Sequence, residues 1–86
     1  DLSRFPMLKL AFEVLEKPDT LAPVFNAANE MAVDLFLNEK IAYMDIVKLT
    51  QLCMSRFAST SIANLDDAFA LDVEVRAFAT ECAGKF

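Results

Sequence analysis

Residues 21–37 read LAPVFNAANEMAVDLFL, and this stretch decides the fold. Its apolar residues recur with the period of an α-helix. The predicted main stripe consists of Phe25, Ala28, Ala32, Leu35 and Phe36, widened by Val24, Met31 and Val33. A helix that is apolar around so much of its circumference is typical of a buried, central position. We therefore predict a central helix from about Ala22–Pro23 to Asn38.

The chain as a whole contains few glycine and proline residues, which are the residues typical of turns. Gly84 is the only glycine, and the chain has three prolines. Such a composition, with helical periodicity throughout, indicates an all-α domain. The further predicted helices span Pro6 to about Lys17, Asp45 to about Phe57, and Asn64 to about Ala83. Because short links make neighbouring helices antiparallel, the sequence predicts an up-and-down four-helix bundle.

Residues at the expected helix ends support these bounds. Pro6 suits the first position of the first helix, because the N–H that proline lacks would be unpaired there. Pro18 is expected to end that helix. Asp45 is predicted as the N-cap of the third helix, with Met44 packing on Leu49 as a hydrophobic staple.

The fourth helix carries signals at both ends and one in its middle. Asn64 is predicted as its N-cap, and Asp66 and Asp67 lie in the first turn, where carboxylates favour the helix dipole. Asp72 is an alternative second N-cap, which would split the segment into a short turn and a final helix. Gly84 lies where a C-terminal cap belongs.

The composition limits the classes of function. Eighty-six residues make one small domain, and the net charge is −5. Nucleic acids and anionic membranes are not expected partners, because the eight Lys and Arg are scattered singly. Polar residues interrupt the longest apolar run, which excludes a membrane-spanning segment. The hydrophobic content of 56% is high for so small a domain, so we expect an apolar face that something outside this chain covers.

The chain lacks the residues that several kinds of active site require. The chain has no histidine, so it has no Ser-His-Asp or Cys-His arrangement and no imidazole metal ligand. With Gly84 as the only glycine, there is no phosphate-binding or dinucleotide-binding loop. Adjacent Asp66 and Asp67 point about 100° apart on a helix and are explained as first-turn charges. Cys53 and Cys82 are predicted to be buried free thiols, which indicates a reducing compartment. We therefore predict no catalytic, cofactor-binding or metal-binding residue in this chain.

The polar cluster Asn26, Asn29 and Glu30 is the feature that composition leaves unexplained. Asparagine is an indifferent helix former, and all three interrupt an apolar helix. Ala27 and Ala28 between them would let a neighbouring backbone approach closely, so that the amides and the carboxylate could bind it. We predict a structural docking role for the three residues. A solvent-facing position is the main alternative, and direct chemistry is the weaker one.

Four motifs, in order, resemble one family. Residues 26–30 (NAANE), followed by Ala32-Val33 and Phe36-Leu37, resemble the L-x-A-A-N-E-x-A-V-x-x-F-L segment of the C-terminal domain of 1-deoxy-D-xylulose 5-phosphate reductoisomerases. Residues 4–13 are similar to the opening R-Y-P-x-L-x-L-A-x-E of that domain. Residues 41–46 (IAYMDI) and 72–76 (DVEVR) are similar to its I-x-F-x-D-I and D-x-x-A-R segments. The match extends from residue 1 to about residue 80.

The resemblance implies a longer parent enzyme. That enzyme would isomerise and reduce 1-deoxy-D-xylulose 5-phosphate to 2-C-methyl-D-erythritol 4-phosphate, using NADPH and a divalent metal (Mg or Mn), in non-mevalonate isoprenoid synthesis. It would be a homodimer in a bacterial cytoplasm or a plastid, and it would not be secreted. Its catalytic residues would lie before this chain, and an Asp at residue 1 fits a piece of a longer protein. This bundle would be a non-catalytic structural domain packed on the remaining domains of the same subunit. The alternative is a free-standing helical protein-interaction module.

Overall fold

The computed structural model describes residues 4–86, which form four α-helices and, within that range, no strand. The helices are α1 (Pro6–Glu16), α2 (Pro18–Leu37), α3 (Asp45–Arg56) and α4 (Leu65–Ala83). The predicted all-α class and the number of helices are confirmed. Among these residues, no helix combines the length and the apolar character needed to cross a membrane.

Among the first three helices, each runs antiparallel to the next one in the sequence. A single residue, Lys17, separates α1 from α2, and Met7 near the start of α1 contacts Asn29 in the second half of α2. The two helices therefore form a hairpin. Leu21 at the start of α2 and Met54 near the end of α3 line the same surface cavity, which gives α2 and α3 opposite directions.

The last pair of helices continues this pattern. Phe57, directly after α3, packs edge-on against Phe78 of α4, with ring centroids 5.7 Å apart. At the other end, Phe86 lines a cavity together with Lys48 and Leu52 of α3. Since the end of one helix lies beside the interior of the other in both places, α3 and α4 are antiparallel. The up-and-down four-helix bundle is confirmed.

The helices do not form a closed ring. α2 contacts the three other helices, and α1 and α4 each pack on α2 and α3. Within residues 4–86, α1 and α4 do not contact each other. The molecule is accordingly flat, with principal extents of 35 × 31 × 17 Å. Residues 4–86 therefore leave an outward face of α1 and another of α4 uncovered.

The core follows from the small and apolar residues of α2. Val24, Ala27, Ala28 and Ala32 are fully buried, so three alanines lie where the other helices approach most closely. The large buried side chains outside α2 include Leu10, Leu49, Met54, Phe57, Leu71 and Val75. The prediction that the 21–37 stretch forms the central, buried helix is confirmed.

The start of α2 differs from the prediction. The helix begins at Pro18, about one turn before the expected Ala22–Pro23, and Pro23 lies inside it. The non-helical backbone of Lys17 (φ −141°, ψ 64°) ends α1, and its carbonyl oxygen accepts a hydrogen bond from Leu21 N at 2.8 Å. Pro18 fits the first helical position for the same reason as Pro6. Both Pro18 and Pro23 satisfy the sequence rule for a helix start, and the earlier one is used.

The start of α3 also differs. Asp45 is the first residue of the helix rather than its N-cap, and its Oδ2 accepts a hydrogen bond from the Ala42 N–H at 2.9 Å. The chain already turns at Ala42, because Asp45 N donates back to the Ala42 carbonyl oxygen at 3.0 Å. Met44 itself takes the N-cap position and is exposed, so it does not form the predicted staple on Leu49, which requires it to precede the cap.

The N-terminus of α4 is as predicted. Asn64 Oδ1 accepts a hydrogen bond from the Asp67 N–H at 2.9 Å, and Asp67 Oδ2 accepts one from the Ala63 N–H at 3.0 Å. The alternative second cap at Asp72 is wrong, because α4 is continuous from Leu65 to Ala83. Gly84 is the C-cap residue, as expected.

Candidate docking site

The polar cluster lies at the edge of the α2 contact surface. Ala27 and Ala28 are fully buried, whereas Asn26 and Glu30 are exposed and Asn29 is half-buried. Because residues 26 and 30 are one turn apart, the two exposed side chains share one stripe of the helix. The sequence therefore places polar groups beside, rather than within, the contact between α2 and its neighbours.

Glu30 connects α2 to α4. Arg76 Nη2 donates to Glu30 Oε2 at 2.6 Å, and Arg76 Nε donates to Asp72 Oδ2 at 2.9 Å. One guanidinium thus holds two carboxylates, one on its own helix and one across the bundle. The side chains of Arg76 and Glu30 are 36% and 57% exposed, so solvent screens this network. It links α2 to α4 but contributes little to stability.

The electrostatics of this network do not suit a metal ion. The hydrogen bond from Arg76 to Asp72, followed in size by the one to Glu30, raises the pKa of Arg76, so the guanidinium stays charged. The two carboxylates that the fold brings together across α2 and α4 are therefore already paired with a cation. Over residues 4–86, no group of three or more His, Cys, Asp or Glu side chains is arranged to hold a metal ion.

The two asparagines are only weakly engaged by this chain. Asn29 Nδ2 lies 4.0 Å from the Met7 Sδ on α1, a long contact to a weak acceptor. Within residues 4–86, the Asn26 side chain makes no hydrogen bond. An asparagine amide has two N–H donors and an oxygen acceptor, so both residues have hydrogen-bonding capacity for another segment. The docking role of Asn26, Asn29 and Glu30 stays a prediction.

The cysteines are free thiols with different environments. Cys53 is fully buried, as predicted, whereas Cys82 is only half-buried. Burial, with a smaller contribution from the neighbouring Cys82, raises the pKa of the Cys53 thiol to about 12. Cys53 is therefore protonated near neutral pH, and a protonated thiol is neither a nucleophile nor a metal ligand.

Two apolar surfaces remain exposed on the outer helices. We call the first the α1 face; it consists of Phe5, Leu8, Phe12 and Leu15. We call the second the α4 face; it consists of Leu65, Phe69 and Val73. Both follow helical spacing, and both lie on helices that the flat arrangement leaves uncovered on one side. The prediction that this small domain exposes apolar surface is confirmed.

Comparison with known proteins gives these surfaces a context. Residues 1–78 match the family of DXP reductoisomerase C-terminal domains. This chain belongs to that family. It is 39% identical over 85 residues to the 1-deoxy-D-xylulose 5-phosphate reductoisomerase of Shewanella woodyi, covering 99% of this chain and 22% of that protein. It is 48% identical over 82 residues to the reductoisomerase of Chlamydia caviae, covering 94% of this chain and 21% of that protein.

A third relative shows the same proportion. The reductoisomerase of Wolbachia sp. subsp. Brugia malayi is 46% identical over 84 residues, and the match covers 94% of this chain and 22% of the relative. The DXP reductoisomerase C-terminal domain thus spans about a fifth of the length of the proteins that it matches. The family resemblance inferred from the sequence motifs is confirmed.

Sequence reasoning missed one residue of the candidate site. Arg76 was singled out only as part of a motif, although it joins two helices of the DXP reductoisomerase C-terminal domain. Asp72 and Arg76 are four residues apart, with the acid first, and that spacing is a recognised signal for a helical ion pair. No local pattern pairs Glu30 with Arg76, because the two residues are 46 positions apart. The spacing of Asp72 and Arg76 would therefore have identified the hydrogen bond within α4, but not the one that crosses to α2.

Proposed function

We propose that this chain is the non-catalytic, structural C-terminal domain of an NADPH-dependent reductoisomerase. The enzyme would convert 1-deoxy-D-xylulose 5-phosphate to 2-C-methyl-D-erythritol 4-phosphate in isoprenoid biosynthesis. One observation carries the proposal: more than nine-tenths of this chain matches proteins of that name, yet the match covers only about a fifth of each of them. Four-fifths of such an enzyme is available to hold the catalytic machinery.

The structural role is supported by the two apolar faces. Side chains such as Leu15 and Phe69 are 70% and 65% exposed, and burying apolar surface stabilises by roughly 25 cal/mol per Å². A domain packed through these faces on the rest of its subunit would recover that free energy. The partners are therefore the remaining domains of the same subunit, in an enzyme that we infer to be a homodimer in a bacterial cytoplasm or a plastid.

The cofactors of the proposed reaction are NADPH and a divalent metal, Mg or Mn. When bound, NADPH would supply the hydride, and the metal would supply Lewis-acid polarisation of oxygen atoms of the sugar phosphate. The residues of this chain do not fit either group. Dinucleotide sites use glycine-rich turns, and this chain has one glycine, at its C-terminal helix cap. The carboxylates of Glu30 and Asp72 are occupied by Arg76. We infer that other parts of the enzyme bind both cofactors.

The test compares the full-length protein with the 86-residue chain. The measurement is oxidation of NADPH in the presence of 1-deoxy-D-xylulose 5-phosphate and Mg²⁺ or Mn²⁺. We expect turnover by the full-length protein and none by the isolated chain. Turnover by the 86 residues alone would refute the non-catalytic role. No turnover by a folded full-length protein would refute the proposed reaction.

A second function, a free-standing helical interaction module, is favoured by the same apolar faces. An exposed apolar helix face is the common docking surface for a partner helix. The two functions differ in the gene. A dinucleotide-binding strand–turn–helix and a metal-carboxylate domain encoded upstream support the reductoisomerase, whereas a start codon near residue 1 supports the free-standing module.

A further inference from the structure

An apolar groove lies at the point where the chain enters the domain. It has a volume of about 580 Å³ and is formed by the start of α1, the second half of α2, the α2–α3 link and the start of α3. Its lining includes Phe5, Leu8, Val33, Tyr43, Met44 and Val47. Among residues 4–86, Arg4 is the only charged residue that lines it. A concave surface of this size and character fits several apolar side chains of another segment.

The groove is continuous with the α1 face. Phe5 and Leu8 belong to both, and Phe12 and Leu15 extend the surface along the helix. The four residues are spaced by three, four and three positions, which is the pattern of a seam that packs against another segment along its length. Leu8 and Phe12 are 49% and 51% exposed, so about half of each side chain is available for such a contact.

We propose that the polypeptide immediately preceding residue 1 packs in this groove and along the α1 face. The inference rests on the proposed function, in which the rest of the reductoisomerase precedes this domain. Arg4, Phe5 and Pro6 form one wall of the groove, so a chain that arrives at residue 4 arrives beside it. The match covers about a fifth of each relative and belongs to a C-terminal domain, which leaves a long upstream segment to occupy the surface.

The chemistry of the groove defines its occupant. The lining is apolar apart from the Arg4 side chain and the Tyr43 hydroxyl, so the segment should carry apolar or aromatic side chains. A carboxylate or a backbone carbonyl on the segment would pair with Arg4, because a guanidinium has donors and no acceptor. The exposed Met44 would then contact the docked segment, since the flexible methionine side chain adapts its conformation to the side chains that it contacts.

A second copy of the chain is the competing occupant, and cross-linking separates the two. We would place p-benzoylphenylalanine at Tyr43 or at Leu8 in the full-length protein, irradiate it, and identify the joined peptides by mass spectrometry. The control places the same group at Glu81, which is exposed on α4 and does not line the groove. NADPH oxidation by each preparation is measured before irradiation.

We expect cross-links within one subunit, from Tyr43 and from Leu8, to peptides upstream of residue 1, and none of these from Glu81. Cross-links between subunits, cross-links confined to residues 1–86, or no cross-link at either position would overturn the proposal. Because turnover is measured on the same samples, an active enzyme without the expected cross-links refutes this docking and leaves the proposed function standing. An inactive full-length protein refutes the proposed function instead.

Discussion

The carboxylate of Glu30 on α2 accepts a hydrogen bond from Arg76 of α4 at 2.6 Å, although the two residues are 46 positions apart. Arg76 also binds Asp72 on its own helix, so one side chain joins a local contact to a distant one. This arrangement links the outer helix α4 to the central helix α2, on which it already packs. It gives Glu30 a partner within the domain, which the docking hypothesis alone did not require.

The energy of this pair is measurable with a double-mutant cycle of Glu30→Gln and Arg76→Met. Both side chains are partly exposed, so we expect a coupling free energy of about 0.2–1 kcal/mol in urea unfolding. Raising the ionic strength toward 1 M should reduce the coupling, because the screening length falls to about 3 Å. Glu74→Gln, on the exposed side of α4, is the control and should show no coupling to Arg76. A coupling that salt leaves unchanged would contradict a screened ion pair.

If the asparagines bind another segment, replacing Asn29 should lower the free energy of unfolding by more than its contacts within the isolated domain explain. Within residues 4–86, the Asn29 side chain has only a 4.0 Å contact, to the Met7 Sδ. If another segment binds its amide, Asn29→Ala in the full-length protein should lower the free energy of unfolding by about 1–3 kcal/mol, because buried polar partners lose their bond. Asp34→Ala, five residues further along α2 and exposed, is the control. A melting temperature equal to that of the wild type for Asn29→Ala would remove the support for docking.

The sequence predicted the parts of the fold that local patterns determine. Periodicity placed α2 at the centre, and the Asn64 cap was correct because its partner, Asp67, is three residues away. The start of α2 was misplaced because Pro18 and Pro23 satisfy the same rule, and the conformation of Lys17 decides between them. Contacts between distant residues have no local signature. The missing contact between α1 and α4, and therefore the two exposed faces, depends on how the helices pack in three dimensions.

Removal of the Asn64 cap should destabilise α4. Its Oδ1 satisfies the Asp67 N–H, one of the N-terminal donors that has no partner within the helix. We expect Asn64→Ala to cost about 1 kcal/mol, with a range of roughly 0.5–2 kcal/mol, in thermal or urea unfolding. Asn64→Asp keeps an acceptor oxygen and should retain most of the stability. Equal losses in the two variants would show that the side chain acts by some means other than capping.

Overpacking of the central helix should be costly. Ala28 is fully buried in α2, where a longer side chain has no space. We expect Ala28→Leu to lower the free energy of unfolding by about 1–3 kcal/mol, because the neighbouring helices have to move apart. Ala77→Leu places the same change on the exposed side of α4 and should stay within about 0.5 kcal/mol of the wild type. Similar effects at both positions would mean that the helix contact at Ala28 is looser than the structure indicates.

Burial of the Cys53 thiol predicts a stability that falls at alkaline pH. The pKa of Cys53 rises from 9.0 to about 12 in the folded domain, so above pH 9 the unfolded chain loses this proton and the folded one keeps it. The stability contribution is therefore complete below pH 9 and is lost as the pH rises toward 12, with a slope that approaches about 1.4 kcal/mol per pH unit.

Cys53→Ala isolates this effect, because the cavity that it leaves lowers stability by an amount that does not change with pH. Urea unfolding between pH 8 and pH 10 should show a steeper decline for the wild type than for Cys53→Ala. Alkylation gives an independent measurement: a thiol reagent should modify half-buried Cys82 well before Cys53, because the thiolate is the reactive form and Cys53 is neither ionised nor accessible. Parallel pH profiles for the two proteins, or modification of Cys53 first, would show that the thiol is more exposed than its position in α3 implies.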